Sequence, residues 1–245
     1  MRLKRLPRRA SKVFQTDQTM ANDWCKKKTW SEADKADFFS RLRRRGDQTK
    51  YLSIQANTLE RVGSPELLKA SIALLDQLIA EFVNDATFTH PRQLADAYNR
   101  RAGCYLKLGD IENAIADYRR VFAIERELGR PNTLAFFDFG KLVAEKHLRD
   151  HFDEALTALD AGAKYLGKHL PADTFYLFGI RSLIAAQKGE IEKSKDLARV
   201  ALEAAHKGNS GIRYHPKFGL NKDRGSKFYD AVEAIVASDI QSFSN

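Results

Sequence analysis

The sequence predicts an all-α fold, an α-solenoid of helix–turn–helix repeats closed by a C-terminal capping helix. Three observations predict it. First, one apolar pattern with internal offsets of 0, 3, 4, 7, 10 and 11 occurs three times. It reads Ile111, Ala114, Ile115, Tyr118, Val121, Phe122, then Phe152, Ala155, Leu156, Leu159, Gly162, Ala163, and more weakly Ile191, Ser194, Lys195, Ala198, Ala201, Leu202. Those offsets lie on one stripe of a 3.6-residue helix. Second, each copy follows a short turn, Leu108-Gly109-Asp110, Leu148-Arg149-Asp150 or Lys188-Gly189-Glu190, and each turn follows another amphipathic segment. Third, the copies start 41 and 39 residues apart. One pair of short helices cannot bury its apolar face alone, whereas stacked pairs share a continuous core.

The elements follow in order. Residues 1–30 read as a basic tail without a sustained apolar stripe and without the apolar run of a secretory signal. Their Arg-rich, acid-poor start resembles a mitochondrial transit peptide, while Met20-Ala21 would equally serve as a beginning. A helical domain is expected over 31–245. Ser31-Glu32-Ala33-Asp34 resembles a capping box with Asp in the place of Glu, and opens a helix that ends near Gly46. A second helix is expected from about Asp47 to Val62, stopped by Gly63. Ser64-Pro65 supplies a cap and a first-turn proline for a third, to about Phe82. Thr87-Phe88-Thr89-His90-Pro91 reads as a loop. Repeat units then occupy about 48–207. Residues 208–245 form a polar loop, Asn209 to Gly225, and a final helix from Ser226 to about Ile240 that covers the last exposed face.

Composition bounds the function. The hydrophobic fraction of 43% is ordinary for a globular chain of 245 residues. No apolar run is long enough to span a membrane. Cys25 and Cys104 are too few and too distant for a disulfide framework or a zinc site, which favours a reducing, cytoplasmic setting. Cys104 falls in an apolar helical pattern and reads as a small core residue. The net charge of +9 is uneven: residues 1–50 hold 15 Lys/Arg against 6 Asp/Glu, and the remainder holds 26 of each. The excess therefore belongs to an arm rather than to the repeats.

The stretch from Ala97 to Tyr118 resembles a tetratricopeptide repeat. Tyr98 and Tyr105 match the aromatics of its first helix, Ala102 the small residue where the helices touch, and Gly109 the turn glycine. Ala114 and Tyr118 match the second helix, and Val121 stands where alanine is usual. A second unit matches through Phe139, Leu142, Asp150, Ala155 and Leu159, with Val143 replacing the small residue. A third matches through Phe178, Ser182, Ala185, Gly189, Ser194 and Ala201. Spacings near 40 exceed the family period of about 34, which implies longer helices or loops.

Several motifs have a bland competitor. His147-Leu148-Arg149-Asp150-His151 resembles an inverted zinc-protease pattern, but such a site needs both histidines on one continuous helix. The repeat alignment puts Asp150 in a turn, so no metal site is expected. Phe136, Phe137, Phe139, Tyr165, Phe175, Tyr176 and Phe178 suggest a stacking platform, yet at helical spacing they are core residues first. Arg41, Arg43, Arg44 and Arg45, with Lys26, Lys27 and Lys28, are candidates for contact with nucleic acid or an acidic partner. Arg213-Tyr214-His215-Pro216-Lys217-Phe218 mixes basic and aromatic residues and fits either such a contact or packing on the last repeat. No phosphate-binding loop, nucleophile elbow or paired-carboxylate motif is present, so the chain reads as a non-enzyme without cofactor.

The resemblance implies a protein-interaction scaffold. In the family the first helix of each pair lines the concave face where peptides lie. Carried over by position, the inward polar residues are Lys50, Asn57, Asn99, Arg100, Lys107 and Lys141, with Asp96 and Glu60 near them. That cationic, amide-rich set implies a protein or peptide partner with an acidic segment. The alternative is a nucleic-acid-associated factor acting through the basic N-terminal arm.

Overall fold

The computed structural model describes residues 23–84, 90–166 and 170–242, with side chains to residue 237. The expectations for residues 1–22, and for 87–89 of the loop before Pro91, lie outside the described residues. Among the described residues the fold is all-α, of the helical-repeat class, with no strand. Its helices are α1 (Glu32–Leu42), α2 (Gln48–Val62), α3 (Pro65–Asn84), α4 (Pro91–Leu108) and α5 (Ile111–Glu127). They continue as α6 (Ala135–Glu145), α7 (Phe152–Ala163), α8 (Pro171–Gln187), α9 (Ile191–His206) and α10 (Lys227–Ser242). Three of the six prolines occupy the first position of a helix, where the missing N–H has no partner to lose. The chain divides into two compact units, Met1–Arg120 and Val121–Asn245.

In the first unit α2 packs on α3, α3 on α4, and α2 also reaches α4. Contact between neighbours and next-but-one neighbours is what stacked helix pairs require. The expected punctuation is in place. Ser31 Oγ accepts from Asp34 N, and Asp34 Oδ2 accepts from Ser31 N at 3.0 Å, so aspartate completes the capping box. Gly63 and Gly109 end α2 and α4 in the left-handed region, with φ of 81° and 82°. A side chain there would strain the backbone by about 1 kcal/mol. The core holds Phe38, Leu52, Leu59, Leu75 and Cys104 with little or no exposure.

Order begins earlier than the sequence suggests. Asp23–Cys25 form a 3-10 turn, and Trp24 and Cys25 are buried in the first unit's core. The Trp24 ring lies 5.4 Å from Phe38 and 5.0 Å from Tyr51. Lys27 N donates to Gln55 Oε1 and Gln55 Nε2 donates to Lys27 O, at 2.9 and 2.7 Å. Gln55 is fully buried, so this two-way bond fastens the segment to α2. Residues 23–30 are therefore part of the fold, which corrects the expected boundary at 30. One buried tryptophan and one cysteine make too short a pattern to register as a periodic element.

In the second unit α6 packs on α7 and α8, α8 on α9, and α10 on both α8 and α9. α10 thus closes the stack in the position expected of a cap. The α6–α7 turn departs from the sequence alignment. Its left-handed residue is His147, at φ 54°, and not a residue of Leu148-Arg149-Asp150. Leu148 N donates to Val143 O as Asp110 N does to Tyr105 O and Glu190 N to Ala185 O, so all three helix ends close alike. Arg149–His151 then add a 3-10 turn before Phe152, which lengthens this unit. The two histidines of the zinc-like motif consequently stand in different turns, and no cluster of three or more metal-binding side chains occurs among the described residues.

Aromatic burial follows the core reading for most positions. Phe136, Phe137, Phe139 and Phe175 are buried, and Tyr176 and Phe178 are half-buried. Tyr165 is exposed, its hydroxyl donating to Gly129 O. Ala114 and Ala155 have no exposure at all, as expected of small residues at helix contacts.

Candidate peptide-binding site

The helix pairs present their first helices, α2 and α4, side by side within the first unit. On α2, Asn57 and Glu60 are three residues apart and share a face; on α4, Asp96, Arg100 and Lys107 do likewise, spaced by four and seven. Arg100 Nη1 donates to Asn57 Oδ1 at 2.8 Å, and Arg100 Nε donates to Asp96 Oδ2 at 2.8 Å. Lys107 Nζ donates to Glu60 Oε1 at 2.9 Å, and Glu60 Oε2 stands 4.0 Å from Arg100 Nη1. Glu60 thus lies between the two cations. Asn99, next to Arg100 on α4, has its Oδ1 buried with no hydrogen-bond partner. A buried amide oxygen without a partner is an acceptor held out of water at a cost. Lys50 is exposed near the start of α2, its ammonium 5.9 Å from the Tyr51 ring.

The second unit holds Lys141 on α6. Its ammonium lies 3.7 Å from Asp223 Oδ2, and 5.1 and 5.7 Å from the rings of Phe228 and Tyr176. Burial, reinforced by the Asp223 carboxylate, pushes the Tyr176 hydroxyl up to about 12. Asp138, one turn before Lys141, keeps contact with solvent while protein surrounds it at longer range. Incomplete hydration pushes its carboxyl up to about 6, against the pull of Lys141.

The structure therefore brings Asn57, Asn99, Arg100 and Lys107 onto adjacent first helices. It also gives Arg100, Lys107 and Lys141 internal carboxylate partners that charge counting along the chain does not reveal. Glu60 and Asp96 were visible as neighbours on the helical face; Asp223 was not, because it comes from a loop without periodicity. The four arginines at the end of α1 and just after it are divided. Arg41 Nε donates to Asp37 Oδ1 at 2.8 Å, and the Arg45 guanidinium stands 5.6 Å from the Trp24 ring and 5.7 Å from Tyr51. Arg43 and Arg44 are exposed.

A second polar cluster fixes α4 against α5. Arg101 Nε and Nη2 donate to the two oxygens of Asp117, at 2.8 and 2.7 Å, and Nη1 donates to Asp76 at 2.6 Å. Asp117 is buried, and its desolvation raises its carboxyl pKa although Arg101 opposes the shift. The bidentate pair holds α4 against α5, and the Asp76 contact ties the same guanidinium to α3.

Helix pairs stacked through small residues, with polar side chains on their first helices, define a helical-repeat protein. Residues 95–128, which span most of α4, its turn and α5, match the family model for the tetratricopeptide repeat, and the chain contains that repeat. No curated protein matches the chain. Tetratricopeptide repeats generally mediate protein–protein interaction. No described helix is long and apolar enough to cross a membrane.

Proposed function

We propose that the protein is a non-enzymatic interaction scaffold that holds an acidic peptide segment against the first helices of its repeats. The observation that supports it is the α2–α4 cluster, in which two cations share Glu60. A ligand carboxylate takes the place of Glu60 against Arg100 and Lys107. Exchange of one carboxylate for another keeps both cations neutralised, provided the displaced Glu60 carboxylate turns out into water. Lys50 and Asn57 extend the same face along α2. Lys141 serves an acidic side chain in the second unit by the same exchange, with Asp223 displaced.

The test is affinity capture by the wild-type chain and by Arg100→Gln/Lys107→Gln, followed by mass spectrometry with and without nuclease. Partners retained by the wild type, lost by the variant and indifferent to nuclease support the reading. Partners retained equally by both chains contradict it.

A further inference from the structure

The segment between α9 and α10 carries a motif that the α2–α4 face does not use. Residues 207–222 include Lys207, Arg213, Lys217 and Lys222 and no Asp or Glu. Within it a cation directly precedes an aromatic residue twice, at Arg213-Tyr214 and Lys217-Phe218. The segment is not helical, yet it is tied internally. Ser210 N donates to Pro216 O at 2.8 Å, Ser210 Oγ to His215 O at 3.1 Å, and Phe218 N to His215 O at 2.9 Å. It is also anchored to the unit: Ala172 N donates to Gly219 O at 2.9 Å, and Arg224 Nη2 donates to Ala205 O at 3.1 Å.

Despite this order, its aromatic rings face water. Tyr214 is 77% exposed and Phe218 62%. A folded chain that fixes a loop and leaves its two largest apolar side chains outside has not used them for packing. The Arg213 guanidinium lies 5.3 Å from the Tyr214 ring, so cation and ring stand together.

We propose that this loop is a contact surface for single-stranded nucleic acid, with Tyr214 and Phe218 stacking on bases and Arg213 and Lys217 pairing with the adjoining phosphates. Each cation–aromatic pair matches the two chemical halves of a nucleotide, an anionic phosphate and a flat ring. A duplex offers no free base face and is read by helices or ribbons that enter a groove, which this loop lacks. An acidic peptide would engage the cations and leave the ring faces idle. A bilayer surface would need a larger apolar area than two rings separated by His215, Pro216 and Lys217. Because the loop is already ordered, stacking costs little further conformational entropy.

The test is fluorescence anisotropy of the full chain with a labelled oligo-uridine of about 12 nucleotides, over a range of salt concentrations. Tyr214→Ala/Phe218→Ala is expected to weaken binding roughly tenfold or more at every salt concentration without changing the salt slope. Arg213→Gln/Lys217→Gln is expected to make the log–log salt slope shallower by about 1.4, the loss of two phosphate contacts on a single strand. Both variants should melt with the wild type by circular dichroism, since all four side chains are exposed. Should the alanine variant melt early, Tyr214→Leu/Phe218→Leu keeps the apolar bulk without the rings and should show the same loss. Absence of wild-type binding overturns the proposal, as does wild-type affinity in the ring variants, which assigns binding to the basic N-terminal residues. Tighter binding to a duplex of the same length, to phosphatidylserine vesicles or to a poly-glutamate peptide overturns it as well.

Discussion

Single residues set the tolerances of this fold. A Cβ built on Gly162 would come within 2.5 Å of the Phe136 ring, so α7 passes α6 at a distance only glycine permits. Gly162→Ala should lower stability by about 1–3 kcal/mol, measured by denaturant unfolding, because a buried ring has no free space to move into. The thiols make an opposite case of protection. Both cysteines are buried, and burial pushes Cys104 up to about 11, with Ser71 Oγ 3.6 Å from its sulfur. Neither should react with Ellman's reagent in the native chain, and both should react in denaturant; a fast native thiol would show that the first unit opens readily. Asp138 adds a pH dependence. Its folded pKa, about 6, lies above the ordinary aspartate value of about 4, so the folded state binds the proton more tightly. The associated stability is present below about pH 4 and is lost as pH rises through about 6. The melting temperature of Asp138→Asn relative to wild type should therefore climb between pH 4 and 7, and a flat difference would show that this carboxyl is ordinary.

At the scale of elements, the sequence and the structure agree wherever periodicity or punctuation carries the signal. Pro65, Pro91, Gly63, Gly109 and Gly189 mark helix ends because each has a backbone property that few other residues share. The repeated apolar offsets placed α5, α7 and α9 because burial of one stripe is what makes those helices stable. Two features were illegible for a physical reason. His147 occupies a left-handed position that the sequence rules reserve for glycine, and the extra 3-10 turn after it shifts the alignment. The 23–30 segment is held by one ring, one thiol and one glutamine bonded to main chain, contacts that have no period. Trp24→Ala should consequently cost about 3 kcal/mol or more of stability, and Gln55→Leu should expose the segment to limited proteolysis near Lys26-Lys27-Lys28. Unchanged unfolding in Trp24→Ala would return residues 23–30 to the tail.

For the molecule as a whole, the candidate site was half legible. Position within the first helices of the repeats offers Asn57, Asn99, Arg100 and Lys107 as candidates, since helical spacing decides which side chains share a face. Glu60 and Asp96 could be read from helical position as neighbours of these residues, but that Glu60 meets both Arg100 and Lys107, and that Asp223 from a loop meets Lys141, needed the folded chain. This changes how an acidic ligand is admitted, from filling a bare cationic groove to replacing an internal carboxylate. Glu60→Gln becomes an informative variant, because it leaves Arg100 and Lys107 in place and removes their competitor. The most direct measurement is binding of wild-type, Glu60→Gln and Arg100→Gln/Lys107→Gln chains to one array of short peptides graded in Asp and Glu content. Wild-type signal is expected to rise with acidic content, Glu60→Gln to bind the acidic peptides more tightly, and the double variant to lose roughly tenfold or more, in line with a pair of lost charge-assisted hydrogen bonds. The same peptide ranking and strength in all three chains, or a preference for basic peptides, would contradict it.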